Sequence, residues 1–229
     1  MPKLVCRVGR QSKRFRYEDL RLERRGFLSI YSFAVAASAD KKRRLELMDR
    51  GHAVVILPVD FERQEIYFIE QPRHVRAFTE TAAGRKALAR ARQGRKSASF
   101  PAAPAKVNVL ELPAGMIDPG ETAKQAAARE LAEETGWQVR PADLIGVARY
   151  YNSVGGCTEM TVGFIAMVGK RARRTKACGD GGESIRLWKY SWEEAFALAD
   201  KGGLASASSL VMVNYLRAKV MGPCQDHHH

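Results

Sequence analysis

Residues 115–137 carry five acidic side chains against two basic ones, in a chain whose formal net charge is +13. The stretch reads GMIDPGETAKQAAARELAEETGW, and three of its acids, Glu130, Glu133 and Glu134, fall within five residues. On a helix with 3.6 residues per turn this spacing puts all three carboxylates on one face. Like charges at such spacing repel each other, whereas clustered carboxylate oxygens are ligands that Mg²⁺ and Mn²⁺ prefer. The spacing therefore indicates a divalent-metal site.

A second interpretation of these acids stays open at this point. Helices rich in alanine often carry glutamate on a solvated face, and glutamate content alone favours that simpler interpretation. Arg129 adjoins the acids and could hold one carboxylate ionised in a fixed orientation. Leu131 and Trp137, together with several alanines, would supply the opposite face that packs on the rest of the fold.

The sequence on both sides of the acids predicts the helix that positions them. AKQAAARELAEET consists of strong helix formers and predicts a helix over residues 123–135. A Pro-Gly turn precedes it, Glu121 or Thr122 lies near its start, and Gly136 is a plausible C-terminal stop. The helix would therefore begin directly after a turn and end within two residues of Glu134.

Runs of β-branched and aromatic residues on both sides of this helix predict strands. They are HAVVILPVD, EIYFIEQPR, NVLELPAG, LIGVARYYNS, EMTVGFIAMVG and IRLWKYS, and near the N-terminus KLVCRV and FLSIYSF. WEEAFALADKG and SASSLVMVNYLRAKV predict two closing helices. The aromatic residues Phe27, Tyr31 and Phe33 are expected in the core. The order of elements predicts a mixed α/β (α+β) fold.

Taken as a whole, the stretch resembles the motif of the Nudix hydrolase family. It has Gly115, five residues, Glu121, seven residues, Arg-Glu-Leu, one residue, Glu-Glu, one residue, and Gly136 followed by Trp. An accidental match at so many fixed positions is negligible at average residue frequencies. The resemblance implies an α/β/α sandwich around a mixed sheet, with the strand-rich N-terminal segment as an extension. It also implies hydrolysis of a nucleoside diphosphate linked to another moiety, with Mg²⁺ or Mn²⁺ as cofactor.

The same resemblance implies roles for individual residues of the motif. Glu130 and Glu134 match the principal metal ligands, Glu133 matches a further ligand or base, and Arg129 matches the residue that orients the glutamates. Gly115, Glu121 and Gly136 are the other motif positions.

Segments outside the motif resemble the ADP-ribose and nucleotide-sugar pyrophosphatase branch of the family. In ELPAG (111–115), the carbonyl of Ala114 would also bind metal, and in IEQPRHVRAF (69–78), Arg73 would reach the substrate phosphate. YYNSVGGCTE (150–159) resembles a loop that carries proline in that branch, where this chain has Val154. In the loop GDGGESI, Glu183 is the first candidate for a catalytic or metal-binding acid and Asp180 is the second.

The predicted activity is hydrolysis of a nucleoside diphosphate sugar, such as ADP-ribose, to a nucleoside monophosphate and a sugar phosphate, with Glu133 or Glu183 activating water. One alternative is a Nudix hydrolase acting on another nucleoside diphosphate derivative, such as RNA 5′ ends. Another is a nucleotide- or RNA-binding protein that keeps the fold without turnover. The complete set of clustered acids argues against the non-catalytic alternative.

Positive charge is concentrated in two segments. Residues 1–50 hold 14 Lys/Arg and 6 Asp/Glu, and residues 79–107 hold 7 against 1. We expect residues 1–49 to form a strand-rich segment that makes a homodimer, by resemblance to the branch, and residues 50–222 to form the hydrolase domain, with 223–229 as a tail.

The stretch 79–107 is expected to be a long basic loop insertion with room for a short helix. It could be a mobile loop that draws in substrate or a nucleic-acid contact, but a solubilising charge run is favoured. Its single aromatic residue, Phe100, argues against a base-stacking platform.

Composition restricts the cellular setting. No apolar run is long enough to cross a bilayer, and the N-terminus has no apolar stretch typical of a secretory signal. The cysteines are far apart and form no CxxC pair, which indicates neither a zinc site nor a disulfide framework; they are Cys6, Cys157, Cys178 and Cys224. A reducing cytoplasm is the expected location, with no membrane partner.

Overall fold

The computed structural model describes residues 16–38, 41–96, 98–169, 172–175 and 185–221 of the 229-residue chain. The chain divides into two compact units, Met1–His52 with Tyr151–Met160, and Ala53–Tyr150 with Thr161–His229. The predictions for KLVCRV, for Glu183 and Asp180, and for the tail 223–229 lie outside the described residues.

The first unit contains a three-stranded antiparallel sheet. Its strands are β1 (Arg16–Arg24), β2 (Ser29–Ser38) and β3 (Lys41–Asp49), in the order β1-β2-β3. Two backbone hydrogen bonds attach the loop 151–160 to β3, from Met48 N to the Gly156 oxygen at 2.8 Å and from Thr158 N to the Met48 oxygen at 3.0 Å.

Two features of this unit differ from the sequence predictions. The core position expected for Phe27 is wrong, because its side chain is 80% exposed in the turn between β1 and β2, whereas Tyr31 and Phe33 are half-buried. Strand β3 was not predicted, because its charged residues dominate the composition. Leu45 and Leu47 alternate with exposed residues there and are half-buried, which is the period of a strand with one covered face.

The second unit is built on a seven-stranded mixed sheet. Its main path runs β12-β5-β4-β10-β9, with β6 paired to β5 and β7 paired to β4. The strands are β4 (Ala53–Asp60), β5 (Glu65–Pro72), β6 (Asn108–Glu111), β7 (Ala114–Met116), β9 (Ile145–Tyr151), β10 (Met160–Met167) and β12 (Arg186–Ser191), and β8 (Trp137–Gln138) pairs with β11 (Arg173–Arg174) separately. Strands β4 and β10 run parallel, whereas β4 pairs antiparallel with β5 and β7, and β5 pairs antiparallel with β6 and β12.

Six α-helices accompany this sheet in the described residues. They are α1 (Val75–Glu80), α2 (Ala82–Arg92), α3 (Pro104–Val107), α4 (Ala123–Thr135), α5 (Trp192–Asp200) and α6 (Ala207–Val220), and a single 3₁₀ turn spans Pro141–Asp143. The predicted helix over 123–135 and the two closing helices are confirmed. Within the described part of the chain, no helix has the length and apolar character that crossing a membrane requires.

Strand β4 shows how the layers form, since all eight of its residues are buried. Val54 and Ile56 pack with Ala127 and Leu131 of α4, whereas Val55 and Leu57 pack in a separate cluster with residues of α5 and α6. Because successive side chains of a strand point to opposite faces, the sheet is covered on both sides. The predicted α/β/α sandwich with a mixed sheet is thereby confirmed.

Residues 79–107 were predicted to form a long loop with room for a short helix, and α2 forms three turns of helix within them. Thr81 caps the helix by accepting a hydrogen bond from Gly84 N at 2.9 Å. A Cβ at Gly84 would lie 1.9 Å from the Ala77 oxygen, so the glycine lets α1 and α2 pack closely. The many Ala, Arg and Lys residues, which indicated low complexity, are strong helix formers once a cap and a packing partner are present.

Candidate metal-binding and catalytic site

Helix α4 is fixed at both ends, which sets the direction of its acidic face. Thr122 accepts a hydrogen bond from Gln125 N, and the Gln125 side chain accepts one from Thr122 N at 2.8 Å, which together form a capping box. Gly136 ends the helix in the left-handed region at φ 78°. Leu131 is fully buried against the sheet, so Glu130, one residue before it, and Glu134, three residues after it, lie along the border between core and solvent.

Glu134 is the most deeply buried acid of the helix, with 6% of the residue exposed. One carboxyl oxygen accepts a hydrogen bond from Gln71 Nε2 at 3.2 Å, and the other accepts one from Ala114 N at 2.9 Å. Burial raises the pKa of Glu134 to about 8, and the negative charges of Glu130 and Glu111 add to this, against the opposing effect of the Ala114 hydrogen bond. A positively charged partner would stabilise the ionised form of a carboxyl group in this setting.

Arg129 connects the other acids of the stretch. Its guanidinium forms two bonds with Glu121, from Nε to Oε1 at 3.1 Å and from Nη2 to Oε2 at 3.0 Å. Nη1 donates to Glu130 at 2.7 Å and to Glu133 at 3.2 Å. Nη2 also donates to the Met116 oxygen at 3.0 Å, which ties the guanidinium to β7. The structure therefore places Arg129 in contact with Glu121, Glu130 and Glu133.

These contacts affect the motif acids differently. The Arg129 hydrogen bonds are the main reason that the pKa of Glu121 is lowered. Burial is the main influence on Glu130 and raises its pKa, despite the hydrogen bond and charge of Arg129. Glu121 is therefore held as an anion that fixes Arg129, whereas Glu130 and Glu134 are carboxyl groups whose charged forms are disfavoured by burial.

Gly115 brings β7 against the carboxyl group of Glu130. A Cβ built at residue 115 would lie 1.9 Å from Glu130 Oε1 and 2.0 Å from its carboxyl carbon. Any side chain at this position would need the space that the Glu130 carboxyl group fills. The glycine of the motif thus has a packing reason, and it keeps the Ala114 backbone beside α4.

Arg73 and Glu111 form a second ion pair near these acids. Arg73 Nε donates to Glu111 Oε1 at 2.7 Å, and its Nη2 lies 2.6 Å from the same oxygen. The charge of Arg73 lowers the pKa of Glu134, so the pair is electrostatically coupled to α4. A cavity of about 360 Å³ adjoins it, lined by Arg73, Arg76, Glu80, Val109, Glu111, Ala205 and Ser206.

Sequence reasoning did not assign Gln71 and Glu111 to the site. Both are buried polar residues in strands, 4% and 7% exposed, and both belong to segments that resemble the branch. For Glu111, its position between Leu110 and Leu112 in a strand is the signal that could have identified it, since buried polar groups require partners.

The donor chemistry fits a divalent cation. Glu130 and Glu134 are hard oxygen donors whose pKa values are raised by burial, and such carboxylates suit Mg²⁺ or Mn²⁺. In the arrangement described here, Glu130 and Glu133 direct oxygen atoms at Arg129, and Glu134 directs its oxygens at Gln71 and Ala114. Across the described ranges, no three His, Cys, Asp or Glu side chains form a complete set of metal ligands in this arrangement.

Val154 lies in the first unit and is 81% exposed. Glu183 is outside the described residues. A separate cavity of about 480 Å³, lined by residues that include Asp60, Gln138 and Arg140, holds none of the motif acids.

Comparison with curated proteins gives relatives over about three quarters of the chain. It is 29% identical over 175 residues to the ADP-ribose pyrophosphatase of Escherichia coli strain K12, covering 76% of this chain and 71% of that protein. It is 25% identical over 177 residues to the GDP-mannose pyrophosphatase of Citrobacter koseri, covering 77% of this chain and 79% of that protein.

The chain shares its fold with a solved structure and matches a family model over more than half of its length. The crystal structure of an ADP compounds hydrolase superposes with a TM-score of 0.66 at 18% identity, covering 93% of this chain and 99% of the other, and shows the same fold. The NUDIX domain matches residues 70–208, a range that contains Arg73, Glu111 and the whole acidic face of α4. With its motif assembled around Arg129 on this fold, the chain belongs to the Nudix domain family.

Proposed function

We propose that this chain hydrolyses the pyrophosphate bond of a nucleoside diphosphate sugar, of the ADP-ribose type, to a nucleoside monophosphate and a sugar phosphate. The observation that carries the proposal is the arrangement of α4, where Arg129 holds Glu121, Glu130 and Glu133 beside the buried Glu134. Membership of the Nudix family supports the reaction class. The relatives named ADP-ribose and GDP-mannose pyrophosphatase support the substrate class.

Nudix hydrolases use divalent metal ions, and we propose Mg²⁺ or Mn²⁺ for this chain. Glu130, Glu134 and the carbonyl of Ala114 would hold the ion, with Glu133 as a further ligand or base. When bound, such an ion neutralises charge on the pyrophosphate and makes water a better nucleophile. The hydrogen bond from Ala114 N to Glu134 supports this grouping, because it brings the Ala114 backbone to the carboxyl group of α4.

Side chains of the protein would orient the metal ligands, take the proton from water and bind the substrate phosphates. Arg129 keeps Glu130 and Glu133 oriented while water and substrate exchange. The Glu133 side chain is 37% exposed, against 14% for Glu130, so Glu133 is the motif acid best placed to take a proton from attacking water. Glu183 is the second candidate for this role. Arg73, with 43% of its side chain exposed, is proposed to contact the substrate phosphates from the adjoining cavity.

Product identification would test the function directly. The purified chain would be incubated with ADP-ribose, GDP-mannose, UDP-glucose, a dinucleoside polyphosphate and 5′-triphosphorylated RNA, with Mg²⁺ or with excess EDTA. We expect metal-dependent release of a nucleoside monophosphate from a nucleotide sugar. Turnover of RNA alone would contradict the substrate class, and turnover of nothing with nucleotide binding intact would contradict the enzymatic proposal.

We also propose that the first unit forms a homodimer contact. Strand β1 supports this, because eight of its nine residues are exposed, and Tyr17 and Leu20 are 68% and 66% exposed. Multi-angle light scattering should give about twice the chain mass of 25.5 kDa. Double substitution of Tyr17 and Leu20 by serine should yield monomers, and a wild-type monomer at micromolar concentration would contradict the proposal.

A cytoplasmic location is proposed on cysteine usage. Cys157, in the described part of the chain, is a free buried thiol, which suits a reducing compartment. Fractionation of the source cells with an antibody to the chain would test the location, and recovery in a membrane or extracellular fraction would contradict it.

A further inference from the structure

The two helices α1 and α2, with the residues that follow through Lys96, form a basic hairpin (residues 75–96, with the capping Thr81 between the helices). Six exposed cationic side chains lie on α2 and its C-terminal extension: Arg85, Lys86, Arg90, Arg92, Arg95 and Lys96. In the structure as described, none of the six is in an ion pair with an acid. The positive charge of this segment therefore faces solvent, and no acidic side chain in the described residues neutralises it.

The hairpin has a defined shape and is not an open charged chain. Thr81 caps α2, and the tight approach of Gly84 to Ala77 holds the two helices together. Phe78 and Phe100 meet edge to face at 5.5 Å between ring centroids, which fixes the chain beyond the hairpin against α1. An ordered scaffold lowers the entropy lost when its side chains bind a partner.

The cations cover the outer half of α2. At about 100° per residue, Arg85, Lys86, Arg90 and Arg92 spread over roughly 160° of the helix circumference. Gly84 and Ala87, which are buried, lie on the opposite side. Arg85 and Arg92 are about 10 Å apart along the axis at 1.5 Å per residue. Each strand of a nucleic-acid duplex carries a phosphate about every 3.4 Å of axis, so this face matches about three consecutive phosphates.

Other occupants fit the surface less well. A membrane-surface helix needs a bulky apolar face, whereas α2 has Leu88 alone as a large apolar residue, and it is half-buried. At this surface a second copy of the chain, with a net charge of +13, complements the six cations less well than a polyanion does. A single-stranded nucleic acid needs exposed aromatic rings for stacking, whereas the ring of Phe100 is packed on Phe78.

We propose that the basic hairpin binds the phosphate backbone of a double-stranded nucleic acid without sequence preference. Phosphate contacts of this kind carry most of the affinity of non-specific binding. The hairpin is also anchored near the candidate site, since Arg73 N donates to the Val107 oxygen at 2.8 Å and Arg76 Nη1 donates to the Asn108 oxygen at 2.5 Å. Binding would hold the enzyme on nucleic acid, and it does not depend on the proposed hydrolysis.

The test measures binding of a fluorescein-labelled 20-base-pair DNA duplex and an RNA duplex of equal length by anisotropy, between 50 and 250 mM NaCl. The variant Lys86→Gln, Arg92→Gln, Arg95→Gln removes three cations while retaining good helix formers. The matched control, Arg173→Gln, Lys201→Gln, Lys219→Gln, removes the same charge from other exposed surfaces of the second unit. Thermal unfolding of both variants, and their hydrolytic turnover, should equal those of the wild type.

We expect wild-type binding that weakens steeply with salt. The hairpin variant should lose about tenfold or more in affinity at 100 mM salt, with a log–log salt slope smaller by up to about 3. The control should lose less than about threefold. Equal losses in the two variants would overturn the proposal in favour of a general charge effect. Binding only to single strands, or only to vesicles containing phosphatidylserine, would overturn it as well.

Discussion

Arg129 and Glu121, eight residues apart, form a two-point ion pair with nitrogen–oxygen distances of 3.1 and 3.0 Å. The pair joins the turn before α4 to the middle of the helix and leaves Nη1 of Arg129 for Glu130 and Glu133. An arginine can make both sets of contacts at once because its guanidinium is planar and has five donors. The orientation of Glu121, Glu130 and Glu133 therefore depends on one side chain.

Replacing Arg129 by lysine should test this dependence. A lysine keeps the charge but lacks the planar guanidinium with its several fixed donors, so it cannot bind Glu121 and Glu130 at the same time. We expect kcat/KM for the best nucleotide sugar to fall by about 10- to 100-fold, as for other residues that orient metal ligands. The matched control is Arg140→Lys, because Arg140 forms a similar two-point ion pair with Asp143, which is not a motif residue. Equal activity of the two variants would show that Arg129 has no orienting role.

Replacing Glu134 by glutamine should separate chemistry from folding. Glutamine retains an oxygen that can accept from Ala114 N, so the fold should survive, while the anionic metal ligand is lost. We expect activity to fall by orders of magnitude and Mn²⁺ affinity, measured by titration calorimetry, to fall at least about tenfold. The exposed Glu193→Gln on α5 is the control. Unchanged turnover in Glu134→Gln would remove Glu134 from the metal site.

The stability of the metal-free protein should fall as pH rises towards 8. Burial raises the pKa of Glu134 from an ordinary value of 4.5 to about 8, so between these values the unfolded chain releases a proton that the folded protein keeps. Stability from this group is complete below about pH 4.5 and is lost through the folded pKa, at roughly 1.4 kcal/mol per pH unit within the window. Glu130, whose pKa is also raised, acts in the same direction.

Urea unfolding in EDTA at pH 5, 6, 7 and 8 would measure this effect. The free energy of unfolding of Glu134→Gln should depend less on pH than that of the wild type across these values. Curves of equal slope for the two proteins would show that Glu134 ionises normally in the folded state.

Replacing Gly115 by alanine should disturb both packing and activity. Its Cβ would lie 1.9 Å from Glu130 Oε1, so either β7 or the carboxylate must move. We expect a loss of about 1–3 kcal/mol in the free energy of unfolding, typical of overpacking, and a larger loss of activity than stability alone explains. Gly155→Ala is the control, because a Cβ there meets nothing within 4 Å. If both variants match the wild type in calorimetry and turnover, Gly115 has no packing role.

The sequence by itself determined the features that rest on local patterns. Helix α4 spans the predicted residues 123–135, and Gly136 ends it, because helix propensity, capping and a left-handed glycine act over a few residues. Glu130, Glu133 and Glu134 share a helix face for the same reason. The apolar runs around them were sufficient to predict most strands, and the family resemblance implied the sandwich that they form.

The tertiary structure decided the features that depend on residues far apart in the chain. Gln71 and Glu134, which share a hydrogen bond, are 63 residues apart, and Arg73 and Glu111 are 38 apart. Periodicity cannot pair such positions, because pairing depends on how strands close into one sheet. The burial that raises the pKa of Glu134, and the contact of Gly84 with Ala77 that makes a helical hairpin from an apparent loop, arise only when distant segments exclude water from each other.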